Sequence, residues 1–212
     1  IDSMLAIEAS YPDHCVAMMG LHPCYVKENY EDEMLIVREW LGKRKFAAIG
    51  EIGLDFYWDK TFTAQQHIAF ASQMEWALEY DLSVIIHTRN AMGETIEAVK
   101  PFAKKGLGGI FHCFSGSKES AEQITGMGFH LGLGGVLTYK NAGVAEAIKD
   151  IPMEWLVLET DAPYLSPVPY RGKRNEPVYM LEVAKKLAEI KGLPLHEVAE
   201  ITTQNAERIF KF

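Results

Sequence analysis

The sequence predicts an α/β fold built as a TIM-like (β/α)8 barrel. Short apolar runs rich in β-branched residues alternate with helical segments, which is typical of parallel βαβ units. Four of these runs carry a histidine or a carboxylate at or near the carboxyl end, namely Glu51, His87, His112 and Asp161. In (β/α)8 barrels the carboxyl ends of the strands meet on one face, where active sites lie.

The elements follow from their periodicity in chain order. Each predicted strand is a short apolar run, as expected of a strand buried on both faces. Strands are predicted at residues 14–20, 46–51, 83–87, 109–113, 129–135 and 155–160. Helices are predicted at residues 2–9, 29–42, 64–80, 91–104, 118–127 and 142–149, with two or three more in 177–210. Thr63 and Gln66 have the spacing of a capping box at the start of the third helix.

Six predicted strands are fewer than the eight of a closed barrel, and the chain opens on a helical segment. Barrels of this kind typically run to about 250 residues, whereas this chain has 212. We therefore expect residues 1–212 to form a single barrel domain whose first one or two βα units are missing. The alternative is a six-stranded open sheet, which the spread of candidate ligands over the strands disfavours.

Composition sets limits on the function. The chain is 48% hydrophobic, which suits a compact domain, and no apolar run approaches the roughly 20 residues that span a bilayer. Cys15, Cys24 and Cys113 have no pairing pattern, which predicts a reducing, cytoplasmic location. The net charge of −8 argues against broad electrostatic capture of nucleic acid. It leaves open a nuclease with a metal site and a local basic patch.

Two imidazoles and two carboxylates at strand ends form a set of metal ligands by type. Imidazole suits Zn, Mn, Fe or Ni and carboxylate also accepts Mg, so the set predicts one or two divalent ions without naming the metal. Each residue taken singly also has a structural explanation. Asp161, for example, lies where an aspartate commonly caps a turn.

Six segments in order resemble the TatD family of metal-dependent deoxyribonucleases, within the amidohydrolase superfamily. They are GLHP at 20–23, AIGEIGLDFY at 48–57, VIIHTR at 84–89, HCFSG at 112–116, ETDAPYL at 159–165 and RNEP at 174–177. The resemblance covers the chain from residue 20 to its end and implies a TIM-like barrel with a one- or two-metal site.

The resemblance also implies roles for individual residues. Glu51 would bridge two metals, His87 and His112 would bind the second, and Asp161 would bind the first and orient or deprotonate the attacking water. The family usually has a His-x-His pair on its first strand, and the expected location of that pair lies before Ile1. Asn90 stands where the family commonly has Asp after His-x-Arg.

Two residues beside the candidate ligands are predicted to contact substrate. His22 is expected to touch the substrate phosphate or a metal-bound water, with a turn role beside Pro23 as the alternative. Arg89 would pair with phosphate in bidentate fashion. A structural salt bridge is its alternative. Asp55 is predicted to support the site by hydrogen bonding from behind the ligands.

Two loops offer further phosphate contacts. Ser115 opens a Ser-Gly-Ser segment before a helix, so its backbone amides are predicted to face an anion, alongside or instead of a plain N-cap by Ser117. Arg171 and Arg174 lie in the densest basic cluster, for which phosphate contact is favoured over a solvated loop. Four aromatic residues lie near strand ends, where packing at the barrel mouth is favoured over base stacking: Tyr57, Trp58, Phe62 and Tyr164.

The leading hypothesis is a metal-dependent hydrolase of the TatD type that cleaves phosphodiester bonds of DNA, as an exonuclease on strand ends. A divalent metal would supply the nucleophile at neutral pH and relieve charge on phosphorus. The second hypothesis is an amidohydrolase-type hydrolase of amides, esters or small phosphoesters. The third is a non-enzymatic binding protein or an inactive chain. No protein partner and no membrane association are predicted.

Overall fold

A computed structural model describes residues 1–211. The described chain divides into two compact units. The first consists of Ile1–Gly108 and Lys211, and the second of Gly109–Phe210. The expectation of a single domain stays a prediction, as does that of βα units before Ile1.

The first unit contains two paired strands and four α-helices. The helices are α1 (Asp2–Ser10), α2 (Tyr30–Lys43), α3 (Thr63–Tyr80) and α4 (Met92–Ala103), and a short 3-10 helix spans Pro23–Tyr25. Strands β1 (Ala48–Asp55) and β2 (Ser83–Arg89) pair in parallel. Helix α3 packs on β1. Apolar side chains are buried on both faces of β1, so the sheet lies in the interior of this unit.

The second unit contains three short strands in sequence order. Strands β3 (Gly109–Phe111), β4 (His130–Leu133) and β5 (Leu156–Leu158) pair in parallel as β3-β4-β5. The helices are α5 (Lys118–Gly126), α6 (Val144–Ile148), α7 (Met180–Lys191) and α8 (Leu195–Phe210), and 3-10 turns span Gly135–Thr138, Met153–Trp155 and Pro177–Tyr179. Asn205 of α8 donates to the Leu156 carbonyl, which attaches this helix to the sheet.

Residues 14–20, the first of the six predicted strands in chain order, do not form a strand. Only Met19 makes a bridge, to Ile49 of β1. Its amide donates to the Ala48 carbonyl, and its own carbonyl accepts from the Gly50 amide. The pairing stops there because Leu21 turns away: its amide and carbonyl both bond to the Gln73 side chain of α3.

Strand β1 is longer than predicted and contains a bulge at Glu51. The prediction ended this strand at Glu51, but it continues to Asp55. Gly50 pairs with Ile85 and Ile52 pairs with Ile86, so Glu51 is the extra residue between them. A bulge re-aims a side chain and increases the local twist. Glu51 is therefore presented from the middle of a strand, and Asp55 is the carboxylate at its end.

The predicted capping box at the start of α3 is wrong. The Thr63 hydroxyl donates to the Lys60 carbonyl instead. The buried Gln66 side chain bonds to the backbone of Asp55, accepting from its amide at 2.9 Å and donating to its carbonyl at 3.2 Å. The backbone amide and carbonyl of Asp55 offer Gln66 two hydrogen bonds, which outweigh a local cap.

Within residues 1–211, the structure has no helix with the length and apolarity required to cross a lipid bilayer. The cytoplasmic location predicted above stays a prediction.

Candidate metal centre

Three predicted functional residues of the first unit lie together. Donor atoms of His22, Glu51 and His87 all lie within 4.8 Å of one another. The Glu51 Oε2 atom is 3.7 Å from His22 Nε2 and 3.9 Å from His87 Nδ1. We call these residues, together with Asp55, the His87 cluster.

The hydrogen bond between His87 and Asp55 sets the orientation of this imidazole. His87 Nε2 lies 2.9 Å from Asp55 Oδ2. A carboxylate accepts hydrogen bonds, so the partners assign the proton of the neutral ring to Nε2. The lone pair of Nδ1 then faces Glu51. Carboxylate–histidine–metal triads have this arrangement, so His87 and Glu51 fit a divalent ion.

Asp55 is itself held on all sides. It is 1% exposed, and its Oδ1 atom accepts from the amides of Tyr57 at 2.9 Å and Trp58 at 3.2 Å. Although burial acts to raise the pKa of Asp55, the hydrogen bonds from His87, Tyr57 and Trp58 outweigh it and hold the pKa below its usual value. Asp55 therefore remains a carboxylate and accepts a hydrogen bond from His87.

Cys24 is a hydrogen-bond donor in this cluster. Its Sγ atom lies 3.4 Å from Asp55 Oδ2. Burial, together with the Asp55 charge, raises the pKa of the Cys24 thiol to about 11. At neutral pH the residue is a protonated thiol that supports Asp55, since reactivity and metal ligation require the thiolate.

His22 has the turn role that was its predicted alternative, and its contact with substrate stays a prediction. Its Nδ1 atom accepts from the Cys24 amide at 3.1 Å, which caps the 3-10 helix that starts at Pro23. That bond places the proton of the neutral ring on Nε2, the atom directed at Glu51. His22 is thus a donor toward an anion or a water rather than a metal ligand through Nε2.

The second unit has a corresponding arrangement, the His112 cluster of His112, Glu159 and Asp161. His112 Nδ1 lies 2.5 Å from Glu159 Oε2, and His112 Nε2 lies 3.2 Å from Asp161 Oδ1. With the Nδ1 proton held by Glu159, a neutral His112 directs its Nε2 lone pair at the Asp161 carboxylate. Two acceptors at this distance need a cation or a proton between them, so this donor set also fits a divalent ion.

Glu159 is a functional residue that the sequence reasoning missed. Besides His112, its carboxylate accepts from the Cys113 amide at 2.9 Å. A side chain at Gly132 would lie 2.6 Å from Glu159 Oε2, and one at Gly134 would lie 3.2 Å from Oε1. The glycine-rich run near β4 therefore makes room for Glu159. Those glycines, next to an acidic strand end, were the available signal.

The predicted phosphate contacts lie on exposed segments. Arg89 is the last residue of β2, and its guanidinium lies 3.9 Å from the centre of the Tyr57 ring, a cation–π contact rather than the salt bridge that was its alternative. Its phosphate contact stays a prediction. Ser115 is exposed, and Ser117 is the N-cap of α5, accepting from the Ser120 amide. An anion at the Ser115 amides stays a prediction.

Arg171 and Arg174 lie on an exposed loop of the second unit. The Arg171 guanidinium lies 4.0 Å from the centre of the Tyr139 ring. Buried Asn175 holds this loop to the segment after Asp161, because its side chain donates to the Tyr164 carbonyl and its amide donates to the Pro163 carbonyl. The basic residues are thereby tied to the chain beside a candidate ligand.

The expectation that aromatic residues near strand ends pack at the barrel mouth is wrong for three of them. Tyr57, Trp58 and Tyr164 are 51%, 68% and 72% exposed. The turn that follows β1 faces solvent once Asp55 has accepted its two amides, so its aromatic side chains have no core to enter.

Comparisons with known proteins agree with these features. A family model described as TatD related DNase matches residues 1–211. An uncharacterized metal-dependent hydrolase of Bacillus subtilis, YabD, is 42% identical over 200 residues, covering 94% of this chain and 78% of its own. The 3'-5' ssDNA/RNA exonuclease TatD of Erwinia tasmaniensis is 32% identical over 212 residues, covering 97% of this chain and 82% of its own.

Solved structures of the same kind share the fold. The crystal structure of the TatD homologue YJJV from Escherichia coli has a TM-score of 0.93 and 30% identity, covering all of this chain and 82% of its own. A TatD family hydrolase from Entamoeba histolytica has a TM-score of 0.80 and 26% identity, covering 98% and 80%. The predicted TIM-like α/β fold class is confirmed by these matches.

The fold and the comparisons place the chain among metal-dependent hydrolases with a TIM-like α/β fold. The chain belongs to the TatD-related DNase family, as its six motifs predicted. The metal identity stays open.

Proposed function

We propose that this protein is a metal-dependent nuclease that cleaves phosphodiester bonds at the ends of DNA strands. Glu51, His87, His112 and Asp161 are its ligands for one or two divalent ions. The observation that carries the proposal is the repeated carboxylate–histidine arrangement. His87 and His112 are each held by a carboxylate on one nitrogen and direct the other at a predicted ligand carboxylate.

A bound divalent ion supplies Lewis acidity, lowering the pKa of a water and drawing charge from the phosphate. Asp161 orients the attacking water and accepts its proton. Asp55 and Glu159 accept the N–H of His87 and His112, so in the neutral ring the other nitrogen carries the lone pair that would bind the ion.

Substrate contacts come from residues that carry hydrogen-bond donors. His22 would donate to a phosphate oxygen through Nε2, and Arg89, Arg171 and Arg174 supply exposed guanidinium groups. Backbone amides at Ser115 complete the proposed set. Nucleic acid as the substrate class is supported by the family membership and by the relative named as a single-stranded DNA and RNA exonuclease.

The Asp161→Asn variant tests this proposal. Loss of a general base typically costs about 10²–10⁴-fold in rate, so we expect kcat on a labelled single-stranded oligonucleotide with Mn²⁺ to fall by at least about 100-fold. The circular dichroism spectrum should not change. Asp150→Asn is the matched control, because Asp150 is an exposed carboxylate paired with Lys118.

Near wild-type turnover by Asp161→Asn would contradict the role of Asp161. Wild-type protein that cleaves amide or ester substrates with Mn²⁺, but no oligonucleotide, would overturn the nuclease proposal.

A further inference from the structure

Three side chains of the first unit form an exposed stack where β1 and β2 end. The Arg89 guanidinium lies 3.9 Å from the centre of the Tyr57 ring and 5.1 Å from that of Trp58. The two rings meet edge to face, with centroids 4.8 Å apart and an interplanar angle of 85°. We call these three residues the aromatic platform. Tyr57 and Trp58 are 51% and 68% exposed.

The platform is attached to the His87 cluster through one side chain. Asp55 Oδ1 accepts from the amides of Tyr57 and Trp58, while Asp55 Oδ2 accepts from His87 Nε2. The Phe56 amide also donates to the Arg89 carbonyl at 2.9 Å, which joins the turn to the end of β2. The platform and the candidate metal ligand His87 are therefore held at a defined separation.

We infer that the aromatic platform binds a nucleobase of a single-stranded nucleic-acid end whose phosphate is held at the metal ligands. This inference rests on the proposed function and adds a subsite to it. Bases stack on exposed aromatic rings without sequence preference, because every base has a π-face. An Arg guanidinium stacked on a ring keeps its N–H edge available for a neighbouring phosphate.

The size and chemistry of the platform favour a nucleobase over a protein partner. A stable protein interface engages about 20–30 residues on each side, whereas the platform has three. The protein also carries a net charge of −8, so a polyanion needs local contacts of this kind rather than the general field. Stacking supplies affinity that does not depend on net charge.

The test is binding of a fluorescein-labelled single-stranded hexanucleotide with phosphorothioate linkages, followed by fluorescence anisotropy in Mn²⁺. A second hexanucleotide has the same backbone but is abasic at every position. Loss of one stacking contact corresponds to about a 5- to 100-fold change in Kd. We expect Trp58→Ala to raise Kd for the normal strand by about 10-fold and for the abasic strand by less than about 2-fold.

Three controls accompany this variant. Trp58→Phe should retain most of the affinity, because a ring remains. Tyr11→Ala should bind both strands as the wild type does, since Tyr11 is exposed but lies at the end of α1, before the segment that leads to His22. Mn²⁺ affinity of Trp58→Ala should equal that of the wild type, because the Trp58 amide that holds Asp55 is retained.

Equal losses on the normal and abasic strands, or no loss on either, would overturn the platform. If the wild type still cleaves DNA in that case, only this inference fails. If the wild type neither binds nor cleaves nucleic acid, the proposed function fails as well.

Discussion

His87 and His112 come from different strands but have the same pattern of hydrogen bonds. Each has a carboxylate on one ring nitrogen, Asp55 for His87 and Glu159 for His112. The carboxylate selects the tautomer and prevents rotation of the ring, so the other nitrogen is presented as a donor at a defined position. We therefore expect metal affinity to depend on Asp55 and Glu159, which are not themselves proposed ligands.

Replacing Asp55 by Asn should weaken metal binding without unfolding the protein. The amide can donate to His87 and so stabilise the wrong tautomer, and loss of such a partner typically costs about 10- to 100-fold in metal affinity. Isothermal titration with Mn²⁺ measures the change. Asp59→Asn is the control, because Asp59 lies in the same turn but pairs with Lys27. Unchanged Mn²⁺ affinity in Asp55→Asn would show that Asp55 does not position His87.

Strand β1 places its two carboxylates by different means. Glu51 is presented by a bulge in the middle of the strand, and Asp55 by the strand end. Between them Gly53 pairs with His87 at a φ of 144°, and a Cβ atom there would lie 1.9 Å from the His87 carbonyl oxygen. This glycine lets β1 approach the backbone of β2 at the level of the proposed ligand.

Gly53→Ala should therefore be more destabilising than a glycine replacement that meets only an unfavourable φ. Gly106 is the matched control, since its φ is 92° and a Cβ there would meet no atom within 4 Å. We expect Gly106→Ala to cost about 1 kcal/mol and Gly53→Ala about 1–3 kcal/mol more, because steric overlap is added. Urea unfolding measures both. If both variants lost the same free energy of unfolding, the backbone would accommodate a Cβ atom at residue 53 without steric strain against His87.

The charges of the whole molecule suggest that metal binding and stability are linked. The chain carries a net charge of −8. Two of its carboxylates lie beside His87 and two beside His112. Carboxylates gathered in one place repel each other unless a cation compensates them. A divalent ion that binds the folded state alone raises the free energy of unfolding by mass action.

Thermal unfolding should respond to metal accordingly. At a Mn²⁺ concentration of about 100 times Kd the gain is about 2.7 kcal/mol, which corresponds to about 5–10 °C in Tm for a chain of this size. Differential scanning calorimetry with Mn²⁺ and with a chelator measures it. The Glu51→Gln/Asp161→Asn variant should show a much smaller shift. A shift of the same size in that variant would place the stabilising ion elsewhere.

Much of the fold could be predicted because the spacing of apolar residues within a short stretch of sequence indicates which face of an element is buried. The predicted helices at residues 64–80 and 91–104 correspond to α3 and α4 within one residue at each end, since apolar periodicity depends on neighbouring positions alone. The prediction of a strand at residues 14–20 was wrong because a strand also needs a partner along its length. An apolar run does not reveal where pairing stops.

The residue types of the candidate site followed from the sequence, because runs that end in Glu, His or Asp are visible without coordinates. Their hydrogen-bond partners followed only in part: Asp55 was predicted to support the site, but neither its contact with His87 nor any role for Glu159 was predicted. Asp55 and His87 are 32 positions apart and His112 and Glu159 are 47 apart, so these contacts depend on strand pairing and register. The bulge at Glu51, the Gln66 bonds to Asp55 and the exposure of Tyr57 and Trp58 likewise come from packing between distant segments. The local pattern therefore determined which residues are candidates for the chemistry, and tertiary contacts decided which atom of each candidate is presented.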